Sequence, residues 1–311
     1  MGGINYPPFF LKLKIFINMR STIIKLLKEL EKREIPMKYY AFDWDDNLMY
    51  MPTKIYLMSE DGNEVGMGTE DFATYRTKIG KEPFEYEGEM IENFAPEPFR
   101  DFKVGGDKKF LRDVMTAELA EDAAWTDFVE AINNGSLFAI ITARGHRPTT
   151  LMLGVKKLID SNRGGIDSDM LYDSLVRMRE NAGETPEDKE TEIMKYLQMC
   201  RYYPVSYGEG SAQNPEESKI VAMNKFKNYV QNQAEKLNIR LSKKMENEVN
   251  NRFVPMIGFS DDDPRNIKAM SKGVKDVKIF STHGGKKREY KPEEDELQLE
   301  YIIKKYLYKI I

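Results

Sequence analysis

Residues 38–47 read KYYAFDWDDN. A short apolar run, Tyr39-Tyr40-Ala41-Phe42, stops abruptly at Asp43-Trp44-Asp45-Asp46-Asn47, as in a buried parallel strand that delivers acids to its C-terminal edge. Two later stretches repeat the device. Residues 137–142 are apolar up to Thr142, and residues 254–259 form an apolar run followed by Ser260, Asp261, Asp262 and Asp263. All strand C-termini of a parallel sheet lie along one edge, so Asp43, Asp45, Thr142, Asp261 and Asp262 are expected to converge there. Carboxylates brought that close cannot all ionise without a cation. An oxygen-lined cluster of this kind suits magnesium.

The rest of the chain reads as connections between such strands. Helical spacing covers 110–133, 149–160, 167–181, 189–200, 215–250 with a break near 238–242, and 266–272 closed by Gly273. Further strands are expected at 202–207 and 277–280. Strand, loop and helix in alternation define an α/β fold, a three-layer doubly wound parallel sheet. Its core is assigned to 37–50, 110–160 and 200–285. Residues 51–109 read as an inserted cap region, with a strand at 54–58, a turn at 61–63 and an irregular Pro- and Glu-rich stretch at 82–98. Residues 161–199 read as a second insertion, and 286–311 as a tail ending in a helix over 295–309. Residues 1–36 read as an N-terminal appendage, an apolar arm followed by an amphipathic helix over 21–33 with Ser21 as N-cap. Met37 opens a segment that reads like a natural start of the α/β domain.

Composition narrows the function classes. With 311 residues, 41% hydrophobic and 32% charged, the chain can bury a large core and is neither disordered nor membrane-spanning in character. Residues 7–19 are apolar but carry Lys12 and Lys14, too short and too charged for a bilayer crossing, so no membrane partner is expected. The same segment is cationic and free of acids, which also fits a targeting peptide, although no small-residue cleavage site follows. Lys and Arg number 47 against 51 Asp and Glu, a net charge of −4, which lacks the overall positive field of a nucleic-acid coat but leaves room for a local basic groove. A lone cysteine, Cys200, excludes an intramolecular disulfide and fits a reducing, cytoplasmic setting. With only His146 and His283 as histidines, any metal must be held by carboxylates.

These residues resemble the haloacid dehalogenase superfamily of phosphohydrolases. Asp43-Trp44-Asp45 is similar to its first motif, the strand ending in Thr142 to its second, and Asp261-Asp262-Asp263-Pro264-Arg265-Asn266 to the paired-aspartate form of its fourth. The third motif, a Lys at the start of a helix, is matched best by Lys219 in Asn214-Pro215-Glu216-Glu217-Ser218-Lys219, with Lys225 as the fallback. The resemblance spans about 38–145 and 200–283. It departs at Asn47, where the family usually has Thr or Val.

The resemblance implies a magnesium-dependent phosphatase acting on a phosphorylated small molecule. Asp43 would be the nucleophile that forms an aspartyl-phosphate, and Asp45 the general acid and then base. Thr142 and Lys219 would hold phosphoryl oxygens. Asp43, the Asp45 carbonyl, Asp262 and the adjacent Asp261 would ligate Mg2+. Arg144 and His146 would either touch substrate, Arg144 as a phosphate ligand, or cap the helix that follows. Asp46 is expected to cap a turn, Asp263 to be a solvated turn residue, and the run Lys286-Lys287-Arg288 to be solvated surface or a polyanion contact. Trp44 is expected to pack above the sheet edge and Trp125 in an ordinary helix. The alternatives are a phosphatase that heals nucleic-acid ends and a catalytically silent scaffold that binds a phosphorylated ligand.

Overall fold

A computed structural model describes residues 34–208, 214–244 and 252–292, with side chains described up to residue 239 in the second stretch. The expected N-terminal helix and the tail helix at 295–309 lie outside the described residues. The strands, in chain order, are β1 Glu34–Phe42, β2 Met49–Tyr50, β3 Ile55–Ser59, β4 Glu64–Met67, β5 Phe84–Tyr86, β6 Glu89–Phe94, β7 Glu118–Leu119, β8 Phe138–Thr142, β9 Arg201–Pro204, β10 Arg252–Asp261, β11 Lys278–Ser281 and β12 Arg288–Glu289.

Six of them form the main sheet, in the order β12-β11-β10-β1-β8-β9. The pairs β1/β8, β8/β9 and β10/β11 are parallel, while β12 closes the edge antiparallel to β11. Taken in chain order the sheet runs 3-2-1-4-5-6, so its connections change direction between β1 and β10. In open α/β sheets ligands bind in the crevice beyond the strand C-termini at such a switch point. The residues that follow β1 and end β10 are Asp43 and Asp261.

The sheet is covered on both faces, which is why its strands read as unbroken apolar runs. Phe42, Phe138 and Ile140 fall in one hydrophobic cluster with Leu151, Val155, Leu158, Leu171, Ile193 and Leu197 from the helices Pro148–Asp160, Ser168–Ala182 and Lys189–Met199. The alternating residues Tyr39, Ala41, Ala139 and Ile141 are equally buried but lie outside that cluster, on the opposite face. The helices within 161–199, the stretch read as a second insertion, share this cluster: Tyr196 meets Phe138 at 6.1 Å between ring centres, and Ser168–Ala182 packs against Thr126–Asn133 and Lys189–Met199.

The region 51–109 carries a small sheet of its own. It folds into a four-stranded antiparallel sheet, β4-β3-β6-β5, over its own small core of Ile55, Leu57, Met67, Phe84, Tyr86 and Ile91. The stretch 82–98, expected to be irregular, contains the hairpin β5/β6. Its two turn residues, Glu87 and Gly88, have φ of 51° and 83°, the positive values that a tight hairpin turn needs. Glu-Gly is a weak form of that turn signal, and it was masked by the surrounding acids.

Several boundaries differ from expectation. The helical pattern at 110–133 breaks into the helices Asp107–Asp113 and Thr126–Asn133, because Glu118 and Leu119 pair with Tyr50 and Met49. Strand β1 begins at Glu34, inside the segment assigned to the appendage. Strand β9, expected at 202–207, spans Arg201–Pro204 and stops at a proline, whose ring nitrogen cannot donate to a ladder. The helix Pro215–Lys244 runs through 238–242 without a break. Asn238, a residue that usually favours turns, spends its side chain elsewhere: it donates to the Phe253 carbonyl at 3.0 Å and accepts from the Phe253 amide at 2.8 Å.

Candidate active site

The acidic loop after β1 is tied to the neighbouring strands by hydrogen bonds rather than by apolar packing alone. The Asp43 amide donates to the Ser260 carbonyl at 2.9 Å. Asn47, fully buried, donates from Nδ2 to the Asp43 carbonyl at 2.9 Å and to Ser260 Oγ at 3.1 Å, and its Oδ1 accepts from Thr282 Oγ1 at 2.8 Å. One amide thus knots the ends of β1, β10 and β11. A Thr or Val at this position offers no such set of donors and acceptors. The departure from the family pattern is a structural residue, and the buried Ser260 and Thr282 that complete it are not marked by any motif.

Lys219 sits in the second turn of the helix Pro215–Lys244 and is 1% exposed. Its Nζ lies 2.7 Å from Asp261 Oδ2 and 3.1 Å from Asp43 Oδ1. The remaining Asp261 oxygen accepts from Asn266 Nδ2 at 2.9 Å and from the Asp263 amide at 3.0 Å. Asp261 is therefore held on both oxygens, whereas Asp43 is not. Asp43 Oδ1 is buried and off the direction of a hydrogen bond from Lys219, which leaves it without a donor.

Charge in this pocket is far from balanced. Burial pushes the Asp43 carboxyl up to about 8; Lys219 pulls it down, and Asp261 and Asp45 add to the rise. Asp262 is likewise pushed well above the carboxylate range by burial and by the charges of Asp261 and Asp43. Burial opposes the charge on Lys219, yet Asp261 and Asp43 outweigh it and hold the ammonium protonated. Asp46, at φ 57°, is pushed up to about 6 by burial and by Asp45. Its amide donates to the Met49 carbonyl at 3.0 Å, so it serves the turn as expected.

One carboxylate oxygen each from Asp43, Asp261 and Asp262 lie within 4.8 Å of one another. Three hard oxygen donors this close form a set that a divalent cation fits. The Asp45 carboxylate stands outside that trio. It is gripped by Arg144, which donates from Nε at 2.8 Å and from Nη2 at 2.5 Å, with Nη2 also reaching Thr53 Oγ1 at 2.9 Å. Arg144 is 1% exposed, its guanidinium 4.7 Å from the centre of the Phe102 ring and 5.1 Å from that of Phe110. The expectation that Arg144 holds phosphate is thus corrected for two of its nitrogens, which bind the acid. Nη1 is buried and unpaired.

Thr142, 1% exposed, accepts from the Arg144 amide at 3.3 Å. Gly145 cannot carry a side chain, since a Cβ there would stand 2.8 Å from the Ser206 carbonyl oxygen. His146 neither caps the next helix nor reaches the acids. It is fully buried beside Phe110, and burial pushes its pKa down to about 4, so the ring is neutral. Asp263, expected to be solvated, is the N-cap of the helix Pro264–Gly273 and pairs with Arg265 at 2.8 Å. Trp44 is fully buried in the core, 5.4 Å from the Phe110 ring, and Trp125 lies in an irregular turn with its indole donating to the Gly164 carbonyl at 2.8 Å. Lys287 pairs with Asp127 rather than standing free.

Comparison of the chain with protein-family models, with curated proteins and with solved structures finds no match. Among the described residues no helix is long and apolar enough to cross a membrane.

Proposed function

We propose that the protein is a magnesium-dependent phosphatase that hydrolyses a phosphomonoester of a small molecule through an aspartyl-phosphate on Asp43. The observation that carries this reading is the Lys219 ammonium seated between Asp43 and Asp261 at the switch point of the sheet. A carboxylate flanked by a buried ammonium, at an edge where three carboxylates can share a cation, is arranged to attack an electron-poor phosphorus. Asp43, Asp261 and Asp262 would hold the metal, which when bound offsets the charge of the phosphoryl oxygens. Lys219 and the Thr142 hydroxyl would bind those oxygens, with the free Nη1 of Arg144 as a further donor. Asp45, oriented by Arg144, would protonate the leaving oxygen and then take the proton of the attacking water.

Nucleic-acid end healing and silent phospho-ligand binding are the alternatives. A reducing, cytoplasmic setting belongs to this reading through Cys200 alone, a thiol that burial pushes up to about 12 and so keeps unreactive.

Chelation tests the metal. Phosphate release from phenyl phosphate is expected to fall at least a hundredfold in excess chelator and to return with magnesium, while the thermal midpoint at pH 7.5 rises on adding magnesium because the ion binds only the folded acids. Full activity after verified metal removal would rule the reading out.

A further inference from the structure

The region 51–109 carries an aromatic stripe that begins at the catalytic acid and ends at the surface. Arg144, which grips Asp45, lies 4.7 Å from the centre of the Phe102 ring. Phe102 meets Phe99 edge to face at 6.4 Å between centres, and Phe99 meets Phe72 at 5.6 Å and Phe94 at 5.9 Å. Unlike the buried core of this region, Phe94 and Phe99 keep 37% and 40% of their surface exposed. Two touching rings this exposed present faces on which a flat ring can stack. Phe72 lies in the helix Thr69–Tyr75, and Arg76, directly after it, pairs at 2.7 Å with Glu216, three residues before Lys219.

We propose that this stripe receives the base of a nucleoside monophosphate whose phosphate lies between Asp43 and Lys219. The inference rests on the phosphatase reading and names its substrate class. Two features select the ligand. Asp45 meets Arg144, Arg144 meets Phe102 and Phe102 meets Phe99, so Phe99 is reached from Asp45 only through two intervening side chains; a ring stacked there would be joined to its phosphorus by a spacer, as a pentose provides and a simple aryl phosphate does not. The region also holds thirteen acidic and eight basic residues, which repels a polyanionic strand but leaves a neutral base unaffected. Aromatic stacking is tolerant of which base is presented.

The test compares kcat/KM for nucleoside 5′-monophosphates, glycerol phosphate, phenyl phosphate and a phosphorylated oligonucleotide, in the full chain and in Phe99→Ala and Phe99→Tyr. The nucleotides are expected to be the best substrates by about tenfold or more, as stacking of one base is worth. Phe99→Ala should remove that advantage through KM, leave glycerol phosphate unchanged, and be rescued by Phe99→Tyr. Nucleotides no better than glycerol phosphate, or unaffected by Phe99→Ala, would overturn the inference while phenyl phosphate turnover keeps the phosphatase reading. Preference for the oligonucleotide, or a shift from dimer to monomer in Phe99→Ala on sedimentation, would also overturn it. If no phosphomonoester is hydrolysed at all, both readings fall together.

Discussion

Asp43→Asn is expected to lower phosphate release by a factor on the order of 10⁴ or more, the scale on which loss of an enzyme nucleophile falls, and at the same time to make the metal-free protein more stable at neutral pH. The second effect separates this residue from a structural one. Asp43 is buried, its Oδ1 lacks a hydrogen-bond donor, and its carboxyl is raised from the ordinary 3.8 to about 8. A carboxyl raised on folding favours the folded state when protonated. Its contribution is fully present below about pH 4 and is lost as the pH climbs through about 8. The metal-free wild type should therefore lose thermal stability across that window, and Asp43→Asn, which removes the charge, should make the loss shallower, the remainder belonging to Asp262 and Asp46, which burial also raises. Melting curves at pH 5, 6.5 and 8 in chelator check it. A variant that melts well below the wild type at pH 8 would assign Asp43 a stabilising role instead.

The second large effect concerns the Asp45–Arg144 pair. Asp45→Ala leaves a guanidinium that is 1% exposed with the Thr53 hydroxyl as its sole hydrogen-bond acceptor among those described. Removing one partner of a buried pair typically costs about 3–5 kcal/mol, because the other charge stays in place undischarged. For a chain of this size that is a fall in the thermal midpoint of roughly 10 °C. Asp45→Ala combined with Arg144→Met removes both charges and should recover most of the loss while staying inactive. Single and double variants that melt alike would mean that the guanidinium finds water or another acceptor, and that the pair does not organise the site.

Much of this arrangement is legible in the sequence. Apolar runs ending in Asp, Thr or paired Asp lie on the sheet and deliver their polar groups to one edge, because a strand covered on both faces must read as continuous hydrophobe and must stop where water begins. Lys219 was placed over Lys225 by its nearness to the helix start, and its ammonium does meet Asp43 and Asp261. The partners of the charged groups were harder to read. Arg144 was expected to face substrate because it follows Thr142, but its partner Asp45 lies 99 residues away in sequence, and Thr53 carries no pattern at all. Asn47 stood out only as a misfit, and its meaning depends on Ser260 and Thr282 arriving from two other strands. The packing of the helices within 161–199 is not legible in the sequence, because a hydrophobic stripe does not say which surface it covers.

The proposed covalent step on Asp43 is seen most directly in Asp45→Asn. With phenyl phosphate, whose leaving group needs little protonation, and magnesium, the first transfer should proceed, while the second, which needs Asp45 to take a proton from water, should stall. Acid quenching followed by mass analysis of the peptide containing residues 38–47 is expected to find a phosphoryl group on Asp43, absent without magnesium and absent in Asp43→Asn. Steady release of phosphate by Asp45→Asn at the wild-type rate, with Asp43 unmodified at every time sampled, would contradict the account.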